Sequence, residues 1–325
     1  MPVTLRWPVA AICVAFLLCA AHAATAQTYP AKVVRLVVPY PAGGSTDIVG
    51  RLMSERLTAA LGQAVIVDNK PGASAQIGTE IAAKAAADGY TLLMATSTNA
   101  INHVLHPKLP YDFAADFQPV ALIAKAGQLL VVHPSLPART VREFIALAKA
   151  RAGQLTYASS GSGTSGHLAM EAFAIDAKIK LVHIPYKGNA PALNDLLGGQ
   201  VVSGFTNVVS VMPHVKQGRL RALGISSARR SQLAPDVPTI AELGFRDFDI
   251  TAWFGIMSRT GTPAPILAKL NQECVQILKS RDTQDKLLSY GLDPAPIDTT
   301  REFAEFLQTD IKRWARLARE ANLAP

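Results

Sequence analysis

Cysteine is nearly absent from this chain. Three occur, and two of them, Cys13 and Cys19, fall in an apolar leader, so that Cys274 stands alone in the remainder. An internal disulfide is thereby excluded, and the fold must rest on its own core. Beyond the leader, no apolar run is long enough to cross a bilayer. Clustered charge is missing too. Lys and Arg outnumber Asp and Glu by 32 to 24, for a formal net charge of +8, but the basic residues are scattered. Without a basic stripe, nucleic acid is not an expected partner, whereas the positive balance suits a small anion. There is no low-complexity linker and no short tandem repeat. A chain of 325 residues is typically about two domains, and any passage between them must use ordered segments.

What is present begins with that leader. Arg6 is its only charged residue, Val9–Ala21 is an apolar core, and Ala21-His22-Ala23 and Ala24-Thr25-Ala26 offer small-residue cleavage patterns. This reads as a secretory signal peptide over residues 1–26, with Gln27 first after cleavage, and predicts a periplasmic protein. Loss of the leader lowers the net charge to +7. A retained anchor is disfavoured by the short apolar core, and a lipoprotein at Cys19 by bulky Leu18.

Short apolar strands then alternate with helical patterns, which predicts a parallel α/β architecture. The first unit reads as strand Val33–Val38, helix Thr46–Leu61 stopped by Gly62, strand Ala64–Val67, helix Gln76–Ala86 and strand Thr91–Ala95. A second unit follows, with strands Leu129–Val132, Leu155–Ser159, Lys180–Ile184, Val201–Thr206 and Arg221–Ile225, and helices from Thr140, from near His167, and up to Leu197. Thr140-Val141-Arg142-Glu143 has the form of a capping box. The tail adds strand Thr251–Met257, a helix from Pro263 to about Leu278, and a last helix capped at Thr299, with Phe303, Phe306, Leu307, Ile311 and Trp314 on its buried face. That helix is expected to pack on the first unit. The predicted organisation is 27–128 and 250–325 as domain 1, with 129–249 inserted as domain 2.

Two glycine-serine loops carry the functional signal, Ala42–Asp47 and Ser159–His167. Each follows a strand and opens a helix, where backbone N–H groups gather at the positive end of the helix. Ligands of open α/β sheets bind at this edge. Either loop alone is satisfied as a turn using Gly for positive φ and hydroxyls as caps. Two of them facing each other would clamp an anion. Candidate contacts are Tyr40, Ala42, Gly43, Gly44, Ser45, Thr46 and Asp47 from the first side, with Ser97, Thr98 and Asn99 after the third strand. From the second side they are Ser160, Ser162, Gly163, Thr164 and His167, then Tyr186 as a wall, Lys187 as a counter-charge, and Asn207.

Other chemistries fit less well. Gly161–Gly166 matches the G-x-G-x-x-G dinucleotide pattern, but the next strand ends in Pro185-Tyr186-Lys187 with no acid for a ribose. A serine hydrolase working from the second loop is the alternative function, yet no nucleophile elbow is present. His103 and His106 lie three apart without metal-ligand company. No cofactor, no metal and no enzymatic activity are expected.

The chain resembles the Bug/TctC family, the extracytoplasmic solute-binding receptors of tripartite tricarboxylate transporters. The resemblance covers the whole region beyond the leader. It rests on Tyr29-Pro30, 38–47 (VPYPAGGSTD), 67–79 (VDNKPGASAQIGT), 87–92 (ADGYTL), 160–167 (SGSGTSGH), 183–188 (HIPYKG), Gly198–Val201, 218–223 (GRLRAL), 235–239 (PDVPT) and Trp253-Phe254-Gly255. It implies a type II periplasmic-binding-protein fold, with two α/β domains around a cleft that closes on its ligand. It implies that the Ala42–Asp47 and Ser160–Thr164 loops hold a carboxylate through backbone N–H groups and ordered water, and that the protein, expected to be monomeric, serves membrane transporter subunits. Val202 stands where the family commonly has Asp, and Ala73-Ser74-Ala75 where it is more Gly-rich. These departures bear on ligand identity.

Overall fold

The computed structural model describes residues 29–320 apart from Asp247 and Pro296; the leader, with its cleavage site, lies outside them. Among the described residues, those from Lys32 onward pack as one compact unit.

The continuous apolar run of the first strand has a simple cause. Strand β1 (Val34–Val38) is central, with β2 (Val65–Asn69) on one side and β3 (Thr91–Thr96) on the other, both parallel to it. Covered on both faces, such a strand has no solvent side to alternate with. Helix α1 (Ser45–Leu61) follows β1, and Gly62 ends it at φ +67, its N–H returning to the Thr58 carbonyl. Helix α2 (Gln76–Ala83) stops short of the expected Ala86, because the Ala85 N–H closes a tighter turn onto the Ala82 carbonyl. Helix α3 (Ser97–Leu105) starts directly from β3.

A short helix α4 (Phe113–Asp116) leads into β4 (Phe117–Val132), four times as long as the expected Leu129–Val132. Pro119, Lys125 and Gly127 disguise its first part as a loop. The strand absorbs the proline beside a register shift between Pro119 and Ala121, where it pairs with β9 (Thr251–Arg259). This long strand joins two sheets. Up to Gly127 it pairs with β9, and from Gln128 onward with β7 (Ser203–Asn207) and β8 (Arg221–Ile225). The strand order is β2-β1-β3-β9-β4-β7-β5-β6, with β5 (Thr156–Ser159) and β6 (Val182–Pro185) parallel at the far edge. Two α/β lobes therefore flank a shared strand. Ser226 ties the crossing together: its hydroxyl accepts from the Gln128 N–H at 2.9 Å and donates to the Ile250 carbonyl.

The second sheet is covered by α5 (Val141–Ala150), α6 (Ser165–Ala177), α7 (Asn189–Leu197) and α8 (Val208–Lys216). The α5 cap is only half the expected box. Thr140 accepts the Glu143 N–H, but the Glu143 carboxylate takes the Arg139 N–H instead of that of Thr140. The box at Thr299–Glu302 is complete, with N–H bonds in both directions.

After α9 (Ala264–Lys279), α10 (Arg281–Ser289) and the short β10 (Asp293–Pro294), helix α11 (Thr300–Glu320) returns across the molecule. It buries Phe303, Leu307 and Trp314, with Phe306 and Ile311 half-buried. It packs on α3 and β4 and also reaches α6 in the second lobe. The main core is accordingly continuous between lobes, running from Val37 and Leu93 through Trp253 and Phe303 to Phe173 and Phe205. A second cluster, around Leu129, Leu196 and Val208, belongs to the second lobe.

Candidate ligand cleft

Five helices begin at one cavity between the lobes. Gly44, Ser45 and Thr46 line it from the start of α1, and Thr96, Ser97 and Thr98 from α3. Ser165 enters from α6, Asn189 from α7, and Asn207 as the residue capping α8. Tyr40, Ser160, Ala252, Trp253 and Phe254 complete the wall of a tight cavity of about 30 Å³. None of these side chains is charged. The first turn of a helix leaves backbone N–H groups without intrahelical partners and carries roughly half a positive charge. The cavity is therefore electropositive without a cation.

The floor is fixed from behind. The Trp253 and Trp314 indole N–H groups both donate to Asp310 Oδ2, at 2.6 and 2.7 Å. Asp310 is buried in α11, and that burial raises its pKa against the opposing pull of its two indole bonds.

The two glycine loops have one backbone design. Gly43 (φ +81) and Gly163 (φ +73) turn left-handed one residue before the helix cap. In each, the glycine N–H donates to the side chain four residues on: Gly43 to Asp47 Oδ2 at 2.9 Å, Gly163 to His167 Nδ1 at 3.1 Å. In each, the serine at the first helical position, Ser45 or Ser165, faces the cavity. An amide holds that serine. Asn207 Nδ2 donates to Ser45 Oγ at 2.7 Å, while the Gln128 amide, oriented by its neighbours, accepts from Ser165 Oγ at 2.7 Å.

The supports beneath the loops differ. Asp47 also accepts from Arg51 Nε and Asn69 Nδ2, both at 2.9 Å. Burial alone would raise its pKa, but the bonds from Arg51, Gly43 and Asn69 outweigh burial and lower it. Under the second loop, His167 stacks on His183 at 4.1 Å, and His183 on Tyr157 at 4.8 Å. Burial pushes both imidazoles down to about 4, His183 with further help from His167. Tyr157 donates to Glu171.

Of the candidate contacts, Tyr40, Gly44, Ser45, Thr46, Ser97, Thr98, Ser160 and Asn207 line the cavity. The rest are placed elsewhere, each for a local reason. Ala42, Gly43 and Ser162 sit on the exposed outer side of their turns. Asp47 and His167 point back to pin their own loops, which also consumes the Gly43 and Gly163 N–H groups. Thr164 turns its hydroxyl to the Gly161 carbonyl. Asn99 caps α3 by accepting the Thr96 N–H and donates to Thr79. Tyr186 donates to Asp195, and Lys187 is exposed. The chain between them and the cavity turns at Gly188, where a Cβ would stand 2.5 Å from Pro41 Cδ of the opposite loop. Thr96, Ser165, Asn189, Ala252, Trp253 and Phe254 were not among the candidates. Ser165 and Asn189 carry the same signal as Ser45, a first helical position after a strand; the Ser165 helix begins two residues before the expected His167, whereas Asn189 directly follows Gly188, where its helix is expected.

Two buried polar atoms in the wall have no hydrogen-bond partner, Ser97 Oγ and Asn207 Oδ1. Ser97 is 1% exposed. Ser159 Oγ does approach His183 Nε2 at 2.6 Å, but it is buried under the second loop, engages the Gly161 backbone, and does not line this cavity. Among the described residues, no group of three or more His, Cys, Asp or Glu could hold a metal.

Residues 49–323 match the model of the tripartite tricarboxylate transporter family receptor, TctC. Protein BugT of Bordetella pertussis is 39% identical over 300 residues, covering 92% of each chain. An R. palustris protein solved with adipate superposes with a TM-score of 0.89 at 35% identity, covering 91% of this chain and 99% of that one. MatC from Rhodopseudomonas palustris with bound malate gives 0.85 at 31% identity, over 89% and 99%.

Proposed function

We propose that this chain, which belongs to the Bug/TctC family of tripartite tricarboxylate transporter receptors, is an exported binding protein that captures a small carboxylate and presents it to membrane transporter subunits. One observation carries the reading. Five helix N-termini converge on a cavity whose wall has no charged side chain and contains the unpartnered, buried Ser97 Oγ. Such a site stabilises an anion through N–H groups and hydroxyls while offering a cation no counter-charge. Adipate and malate, bound by two relatives, are small carboxylates and support the same class. The leader supports export.

Capture works by closure. We divide the lobes at 128/129 and 249/250, where the chain crosses beside Ser226, and assign the hinge to these crossings. The bond from Asn207 to Ser45 and the approach of Gly188 to Pro41 join opposite lobes, so closing completes the wall and excludes water. Binding only to the closed form stabilises the fold by mass action. Thermal unfolding across a panel of small carboxylates should therefore show a saturable rise in Tm with at least one. A rise with neutral sugars or amides and with no carboxylate would overturn the reading.

A further inference from the structure

The polar atoms facing the cavity are unequal in kind. Helix N-termini supply donors, and hydroxyls can donate or accept. Asn207 Oδ1 can only accept, and it is buried without a donor. Its own Nδ2 is committed to Ser45 Oγ at 2.7 Å, and Asn207 is one of the residues lining the cavity. The other amide of the wall is different. Asn189 Nδ2 donates to Ser210 and its Oδ1 accepts from Thr206, both at 2.6 Å, so neither end is open. Nor is Asn207 needed as a helix cap, since its side chain makes no cap bond to α8.

A plain carboxylate satisfies the donors of this site and leaves Asn207 Oδ1 desolvated and unpaired, which is costly. A ligand with a second group bearing N–H or O–H relieves that cost. An ammonium meets the acceptor too, but the five N-termini disfavour a cation. We propose that Asn207 selects, among small carboxylates, those that also carry a neutral hydrogen-bond donor, hydroxy- or amido-carboxylates. The proposal rests on the carboxylate reading of the cleft.

Calorimetric titration of the mature chain with matched pairs tests it: malate against succinate, 2-hydroxybutanoate against butanoate, and N-acetylglycine against 4-oxopentanoate, which replaces N–H by CH₂. The donor-bearing member of at least one pair should bind about tenfold tighter or more, and malate tighter than aspartate. In Asn207→Leu the ratio within that pair should fall to near one. Loss of the Ser45 bond weakens both members alike, so the ratio reads the acceptor alone. Equal affinities within every pair, with carboxylates still binding, would overturn the proposal and leave the cleft reading standing. A ratio that survives in Asn207→Leu would equally overturn it. Failure of every carboxylate to bind would instead overturn the reading of the cleft.

Discussion

The two glycine loops share a backbone and differ in everything beneath it. Gly43 and Gly163 make the same left-handed turn, give their N–H groups to the side chain four residues on, and present Ser45 and Ser165 to the same cavity. Under the first loop the acceptor is an anion, Asp47, with three donors on it. Under the second it is a neutral imidazole in a buried stack of His167, His183 and Tyr157. One geometry is thus supported by charge on one side and by uncharged packing on the other. In both, the supporting group faces away from the ligand space, which keeps the wall free of charge and leaves the helix ends to act.

The sharpest break in the comparison is removal of each support. Asp47→Leu strands the Gly43 N–H, the Asn69 amide and Arg51, and should cost about 2–4 kcal/mol. His167→Leu strands a single N–H and should cost about 1–2 kcal/mol. Chemical denaturation measures both, and equal costs would erase the distinction. Gly43→Ala and Gly163→Ala should each lose about 1–2 kcal/mol to positive φ. The second should lose more, because its Cβ would stand 3.1 Å from Leu105 Cδ1 whereas that of Gly43 meets nothing within 4 Å.

Acid should separate the loops. His167 and His183 are held at about 4 in the folded chain, below their ordinary 6.5, so the unfolded chain binds more protons between those values. Their contribution is complete above pH 6.5 and falls as pH drops toward 4. Asp47 is held below 3.8, so its contribution persists to about that pH and is lost only as pH falls through the lower folded value. The double variant His167→Gln/His183→Gln should flatten the Tm profile between 6.5 and 4, and Asp47→Asn should alter it only below about 4. The smallest effect belongs to the serines. Ser45→Ala and Ser165→Ala should each weaken ligand binding by about three- to tenfold at unchanged fold, read by titration.

The sequence made the loops legible because glycine, hydroxyls and a following amphipathic run coincide there. It also revealed most of the strands, the stop at Gly62 and the cap at Thr299, but not helices α3, α8 and α10. The expected parallel sheet is in fact mixed, since β9 runs antiparallel to β3 and β4, and β4 antiparallel to β7 and β8. It hid β4, since Pro119, Lys125 and Gly127 interrupt an apolar run whose pairing with β9 lies far off in the chain. Site residues were misplaced where a side chain could serve either the cavity or its own loop. Asp47, His167 and Asn99 are the polar groups that look most functional, and each is spent on a local N–H. Trp253 and Phe254 reach the wall from a strand whose position depends on Asp310, 57 residues later. No local pattern carries that information.

The central claim is that helix ends, not side-chain charges, hold an anion in this cavity. Calorimetric titration of the mature chain with a carboxylate that stabilises it, and with the methyl ester of the same acid, tests this most directly. The account predicts that the carboxylate binds and that the ester binds about 100-fold more weakly or not at all, because the ester brings no charge to the helix N-termini. An ester that binds as tightly as its acid would contradict it.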